Sequence, residues 1–65
     1  MADDARSFRA IYEHDPADDR WFVHVEGFDG CHTYGRTRSE AADRITEALA
    51  AWLDKEPSEF TLTHA

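Results

Sequence analysis

The sequence lacks the cross-links that usually hold a very small domain together. It contains a single cysteine, Cys31, so no disulfide can form within the chain. No cysteines or histidines stand at the spacing of a zinc site, so we expect neither a structural metal nor a cofactor. A chain of 65 residues buries only about 60% of the surface that it exposes when unfolded. We therefore expect self-association, as a dimer or tetramer, to supply part of the stability.

Long apolar runs are also lacking. No segment approaches the ~20 apolar residues of a membrane span, so we expect no membrane contact. The first residues, Met1-Ala2-Asp3-Asp4, are acidic and carry no hydrophobic stretch, which predicts that there is no signal peptide. Together with the free cysteine, this predicts a cytoplasmic protein.

Positive charge is scarce. There are 7 basic residues against 14 acidic ones, and the net charge is −7. Such a chain repels the phosphate backbone of nucleic acids, so we expect no direct DNA binding. An acidic surface suits a basic protein partner instead. The aromatic content of 12% and hydrophobic content of 42% exclude a disordered tail.

Alternating side chains predict a sheet. A period of two with strand-forming aromatic side chains indicates a strand, in which Phe8, Ala10 and Tyr12 alternate with Arg9, Ile11 and Glu13. The turn that follows, Asp15–Asp19, has a proline and three aspartates, which suit a type I turn. The same reasoning gives strands over 7–14, 20–26, 31–34 and 60–64.

One amphipathic segment predicts a helix over 38–54. Its start is a capping box, in which Thr37 accepts from the amide of Glu40 and the Glu40 carboxylate returns to the amide of Thr37. We expect Trp52 in the core. The predicted apolar face consists of Ala41, Ala42, Ile45, Ala48, Leu49, Trp52 and Leu53. All three glycines fall within residues 27–35, where we expect positive φ, including at Gly35.

A sheet covered by a helix on one face leaves the other face to solvent or to a partner. Trp21, Val23 and Val25 share the predicted covered face. Phe22 and Ile11 then fall on the second face, beside Arg9 and His24. Exposed aromatic side chains of this kind favour protein–protein contact.

The stretch 8–53 resembles the HicB family of type II antitoxins, including its acidic turn and its second strand with an aromatic residue, here Trp21-Phe22-Val23. The strand 8–13 is similar to the family's opening strand, and residues 30–41 match its Gly-Cys-x-Thr-x-Gly-x-Thr-x-x-Glu-Ala run at each fixed position. Residues 47–53 fit the family's Glu-Ala-Leu-x-x-Trp-Leu ending. The matched positions of the central run are Gly30, Cys31, Thr33, Gly35, Thr37, Glu40 and Ala41.

The strands and the helix predict an α+β chain in the order β-β-β-α-β, and the resemblance implies for it a partial, degenerate ribonuclease H-like fold. Three antiparallel strands, a helix on one face and a short fourth strand would form a single domain over 7–65, after a flexible segment 1–6. Prokaryotic family members occlude HicA, a small basic ribonuclease that cleaves mRNA. This chain departs from the family at Glu26 and Asp29, where proline is common, and at Arg36, where aspartate is common. Because it ends at Ala65, we expect no DNA-binding segment.

Two interpretations remain open: an antitoxin that binds a HicA-like toxin, and a stand-alone homo-oligomer without a toxin partner. The candidate partner-binding residues are Asp15, Asp18, Asp19, Phe22, His24, Glu26, Phe28 and Asp29.

We expect no catalytic activity. Ribonuclease H-like enzymes need carboxylates clustered at strand ends to hold two metal ions. Here Asp15, Asp18 and Asp19 provide turn chemistry, and Glu40 is committed to the helix cap. Cys31 lacks an activating neighbour, because His32 would point to the opposite face of a strand.

Overall fold

The computed structural model describes residues 7–64. The segment 1–6, predicted to be flexible, and Ala65 lie outside the described residues. The chain is α+β, with the predicted order β-β-β-α-β. The elements are β1 (Ser7–Asp15), β2 (Arg20–Val25), β3 (His32–Gly35), α1 (Arg38–Leu53) and β4 (Thr61–His64), with one turn of 3₁₀ helix at Pro57–Glu59 before β4.

The four strands form one mixed sheet in the order β3-β2-β1-β4. β1 and β2 make an antiparallel hairpin, and β3 pairs antiparallel with β2. After α1 the chain returns to the far edge, where β4 pairs parallel with β1. A strand added at the sheet edge after the helix was predicted, and this is confirmed.

The core lies between α1 and one face of the sheet. The helix packs mainly on β3 and β2, and alternation places Val23 and Val25 towards it, as predicted. Cys31 joins this core as a small apolar side chain. The fully enclosed set is Ala10, Val23, Val25, Cys31, Ala41, Ile45 and Leu49.

The prediction that Trp52 lies in the core is wrong, because 55% of this residue is exposed. It lies in the last turn of α1, where its ring meets the ring of Phe28 edge-on, at 6.1 Å between centroids. The ring also lies against Gly30, at the rim of the core. A helical apolar stripe predicts which residues face inwards, but not how far the covered sheet extends beneath them.

Of the two hydrogen bonds predicted to cap the start of α1, the one accepted by Thr37 is present and the one accepted by Glu40 has a different donor. Thr37 has an extended backbone, and its hydroxyl accepts from the Glu40 N–H at 3.0 Å. The Glu40 carboxylate accepts from the Arg36 N–H at 2.7 Å, one residue before the predicted donor. It thereby holds the chain segment that enters the helix. Asp54, in the left-handed conformation, ends the helix one residue earlier than predicted.

The prediction of positive φ at Gly35 is wrong. Of the three glycines, all among the described residues, only Gly27 has a positive φ, of 88°. Gly35 is needed for a different reason. A Cβ built on it would lie 2.6 Å from the backbone nitrogen of Ala41. The first turn of α1 therefore sits directly on the β3 backbone, and only glycine permits that approach.

Candidate functional site

The sheet face opposite α1, here called the open face, carries a line of aromatic side chains. Phe22 lies across from Tyr34 on β3, and the two ring centroids are 6.1 Å apart. Their exposed fractions are 39% and 46%. His24 pairs with Ile11 on one side and His32 on the other. The predicted grouping of Phe22, His24 and Ile11 on one face is confirmed.

Tyr34 was not among the residues selected from the sequence. Alternation alone puts it on the same face as His32, two residues earlier. Its place beside Phe22 depends on the pairing of β2 with β3, and register is set by the whole sheet rather than by either strand.

Phe28 does not belong to the open face. It is half-buried on the α1 side, and its ring meets the Phe8 ring at 5.4 Å and the Trp52 ring at 6.1 Å. The turn after β2 folds it back over the core, since the Phe28 N–H donates to the carbonyl of Val25. Phe28 and Phe22 therefore cannot form one continuous contact surface.

The candidate acidic residues form two separate groups. Asp15, Asp18 and Asp19 lie at the β1–β2 turn, where the Asp15 carboxylate accepts from a backbone N–H and Asp19 has a φ of 53°. Glu26 and Asp29 follow the other end of β2. Six residues of strand put roughly 20 Å between the groups. A partner that meets both must span the length of the sheet.

A cavity of about 360 Å³ lies where β3 ends and α1 begins. Sequence reasoning missed it because Arg20, on β2, is distant in the chain from its other charged residues. The Arg20 guanidinium lies 5.1 Å from the Tyr34 ring centroid, and the Arg44 guanidinium lies 5.9 Å from it. The residues that line it are Arg20, Tyr34, Gly35, Arg36, Glu40 and Arg44. We call this cavity the arginine pocket.

Residues with catalytic potential are dispersed. Among residues 7–64, no three His, Cys, Asp or Glu side chains are grouped so as to hold a metal ion. His24 and His32 are cross-strand neighbours on the open face, whereas Cys31 lies in the core. Burial raises the pKa of the Cys31 thiol, which reduces the fraction of reactive thiolate.

Tyr12 links β1 to β4 and to α1. Its hydroxyl forms a hydrogen bond with Nδ1 of His64, and the Arg38 guanidinium lies 4.3 Å from its ring centroid. Burial raises the pKa of the Tyr12 phenol, although Arg38 acts in the opposite direction. The hydroxyl therefore keeps its proton and can donate to His64. This arrangement fastens the edge strand rather than forming a reactive centre.

Across the described residues, no helix combines the length and the apolar character needed to cross a membrane. Comparison of the chain with protein-family models, with curated proteins and with solved structures finds no significant match. The HicB-like assignment therefore stays a prediction from the motif over residues 30–41.

Proposed function

We propose that this chain is a HicB-like interaction module that binds a small basic ribonuclease of the HicA type and blocks access to its active site. The observation that carries the proposal is the exposed pair Phe22 and Tyr34 on the open face of a chain with net charge −7. Desolvated aromatic side chains supply binding energy at interfaces. The net negative charge of the chain as a whole speeds association with a basic partner.

The position of the HicB-like motif supports the proposal. Cys31 of the motif is a core residue, Gly35 receives the first turn of α1, and Thr37 and Glu40 cap that helix. These roles are structural, so the residues of the motif shape the fold and do not form a catalytic site. The element order β-β-β-α-β, with one helix on one face of the sheet, is compatible with the partial ribonuclease H-like fold that we propose for it.

Binding would act by occlusion with no chemistry on this chain. The aromatic residues of the open face would form the centre of the interface. The two acidic groups, which flank that face at opposite ends, would meet basic side chains at its rim. Rim charges chiefly set the association rate and its salt dependence. We therefore expect association to slow as salt rises, with a smaller change in the dissociation rate.

The test is co-expression with the open reading frame next to the gene, scored by growth and by co-purification. If the neighbouring protein is toxic, this chain should restore growth. Phe22→Ser should weaken rescue and co-purification, whereas Trp52→Ser is the matched control because it removes an exposed aromatic on the α1 side. Equal killing with and without this chain would contradict the proposal. Equal loss in both variants would contradict the use of the open face.

A second candidate function is a stand-alone homo-oligomer. It is favoured by the two outer strands, β3 and β4, which are each four residues long and stand at the edges of the sheet. An edge strand can pair with its copy in a second chain. Light scattering coupled to size-exclusion chromatography tests it, and a stable monomer would rule it out.

A further inference from the structure

The arginine pocket concentrates positive charge in an acidic protein. Three of its lining residues are arginines, while the whole chain has 7 basic residues and a net charge of −7. We propose that the arginine pocket binds the phosphate group of a small phosphorylated ligand. This activity goes beyond the proposed contact with a basic protein, for which the two acidic groups, and not these arginines, would supply the complementary charge.

Two of the guanidinium groups are available to a ligand. Among residues 7–64, neither Arg20 nor Arg36 forms an ion pair with a carboxylate. Asp15 lies across from Arg20 in the sheet, but its carboxylate accepts from a backbone N–H within the hairpin turn. Asp19, which directly precedes Arg20, contacts Nε2 of His14 at 3.4 Å. These two carboxylates thus have partners within their own hairpin.

The third guanidinium, that of Arg44, is held in place by other residues that line the pocket. One Nη of Arg44 donates to the Tyr34 carbonyl at 3.1 Å, and the other lies 3.7 Å from the Glu40 carboxylate. Glu40 also accepts from the Arg36 N–H. The one carboxylate in the lining is therefore engaged on two sides. Three guanidinium groups against one carboxylate leave a positive excess that matches a dianion better than a single carboxylate.

The shape and position of the cavity agree with this ligand class. Its volume of about 360 Å³ lies near the lower end of the range for small-molecule sites, about 300–1,000 Å³. A phosphate with a small attached group is of that size. The start of α1 adds the positive end of the helix dipole. An arginine guanidinium can bind two phosphate oxygens at once. Contacts with the Tyr34 ring restrict the guanidinium groups of Arg20 and Arg44 before any ligand binds.

The test is a titration of ¹⁵N-labelled protein with inorganic phosphate at neutral pH, with sodium chloride adjusted to keep ionic strength constant. We expect saturable shifts confined to the backbone amides of residues 34–37 and 20. Arg20→Gln and Arg36→Gln should each weaken binding by about tenfold. Arg9→Gln is the matched control, since it removes the same charge at the opposite end of the sheet. Both test residues are exposed, so the variants should fold.

Titration with two further ligands distinguishes between possible sources of the phosphate group. Glycerol phosphate that binds as tightly as inorganic phosphate would support a site for the phosphate group alone. A mononucleotide that binds more tightly would support the same site with an added contact to the base. Shifts that never saturate, that spread over the protein, or that persist in Arg20→Gln and Arg36→Gln would overturn the proposal. Acetate binding as tight as phosphate binding would also overturn it.

Discussion

Replacement of Gly35 by alanine tests how α1 is seated on the sheet. The new Cβ would lie 2.6 Å from the Ala41 nitrogen and 3.1 Å from the Ala41 Cα. Both atoms belong to the helix backbone, which cannot rotate away as a side chain can. The first turn of α1 must therefore move outwards by roughly 1 Å, and overpacking of this kind costs about 1–3 kcal/mol.

The expected loss is large for so small a domain, whose total stability is of the order of 3–10 kcal/mol. A cost of about 2 kcal/mol corresponds to a fall of roughly 8–16 °C in melting temperature. Thermal unfolding followed by far-ultraviolet circular dichroism measures it directly. The cost comes from steric contact rather than from a left-handed backbone, because φ at Gly35 is not positive.

Gly30→Ala is the matched control. A Cβ on Gly30 would lie 2.8 Å from the end of the Trp52 ring, but that ring is largely exposed and can rotate. We expect a loss below about 1 kcal/mol. If Gly35→Ala melts within about 2 °C of the original protein, or if Gly30→Ala is the more damaging change, the close approach of α1 to β3 is wrong.

Three further changes test the cap, the β4 attachment and the buried thiol. Thr37→Ala should lower the free energy of unfolding by about 1 kcal/mol through loss of the N-cap, while Ser39→Ala, on the exposed side of the same turn, should change it little; equal effects would contradict the cap. Tyr12→Phe should cost about 1 kcal/mol by removing the hydroxyl that holds β4, whereas Tyr34→Phe should be nearly neutral in denaturant titration. Burial raises the pKa of the Cys31 thiol above its ordinary 9.0, so the unfolded chain loses that proton first and stability should fall as pH rises above about 9. The fall should be shallower in Cys31→Ala, and an unchanged slope would refute this reasoning.

Local chemistry explains what the sequence predicted correctly. Strand alternation depends only on a period of two, and so Val23, Val25 and Phe22 could be assigned to faces without the structure. The Thr37 cap is equally local, since it joins residues three apart. The α+β class followed from the element order alone.

Non-local geometry explains what the sequence did not predict. The exposure of Trp52 depends on which strands α1 covers. The arginine pocket joins Arg20 to Arg36 and Arg44 through the β2–β3 register and the helix position. The role of Gly35 arises from backbone contact with a later element. None of these relations has a period or a spacing that can be detected along the chain.

The parallel pairing of β4 with β1 has a consequence for the order of folding. It joins the two ends of the described chain, and the Tyr12–His64 hydrogen bond within it spans 52 residues. Closing so long a loop is entropically unfavourable until the intervening elements have formed. The β1–β2–β3 sheet and α1 should therefore assemble first, with β4 docking last. Until β4 docks, β1 is an unpaired edge strand, and the protein is most exposed to aggregation in that interval.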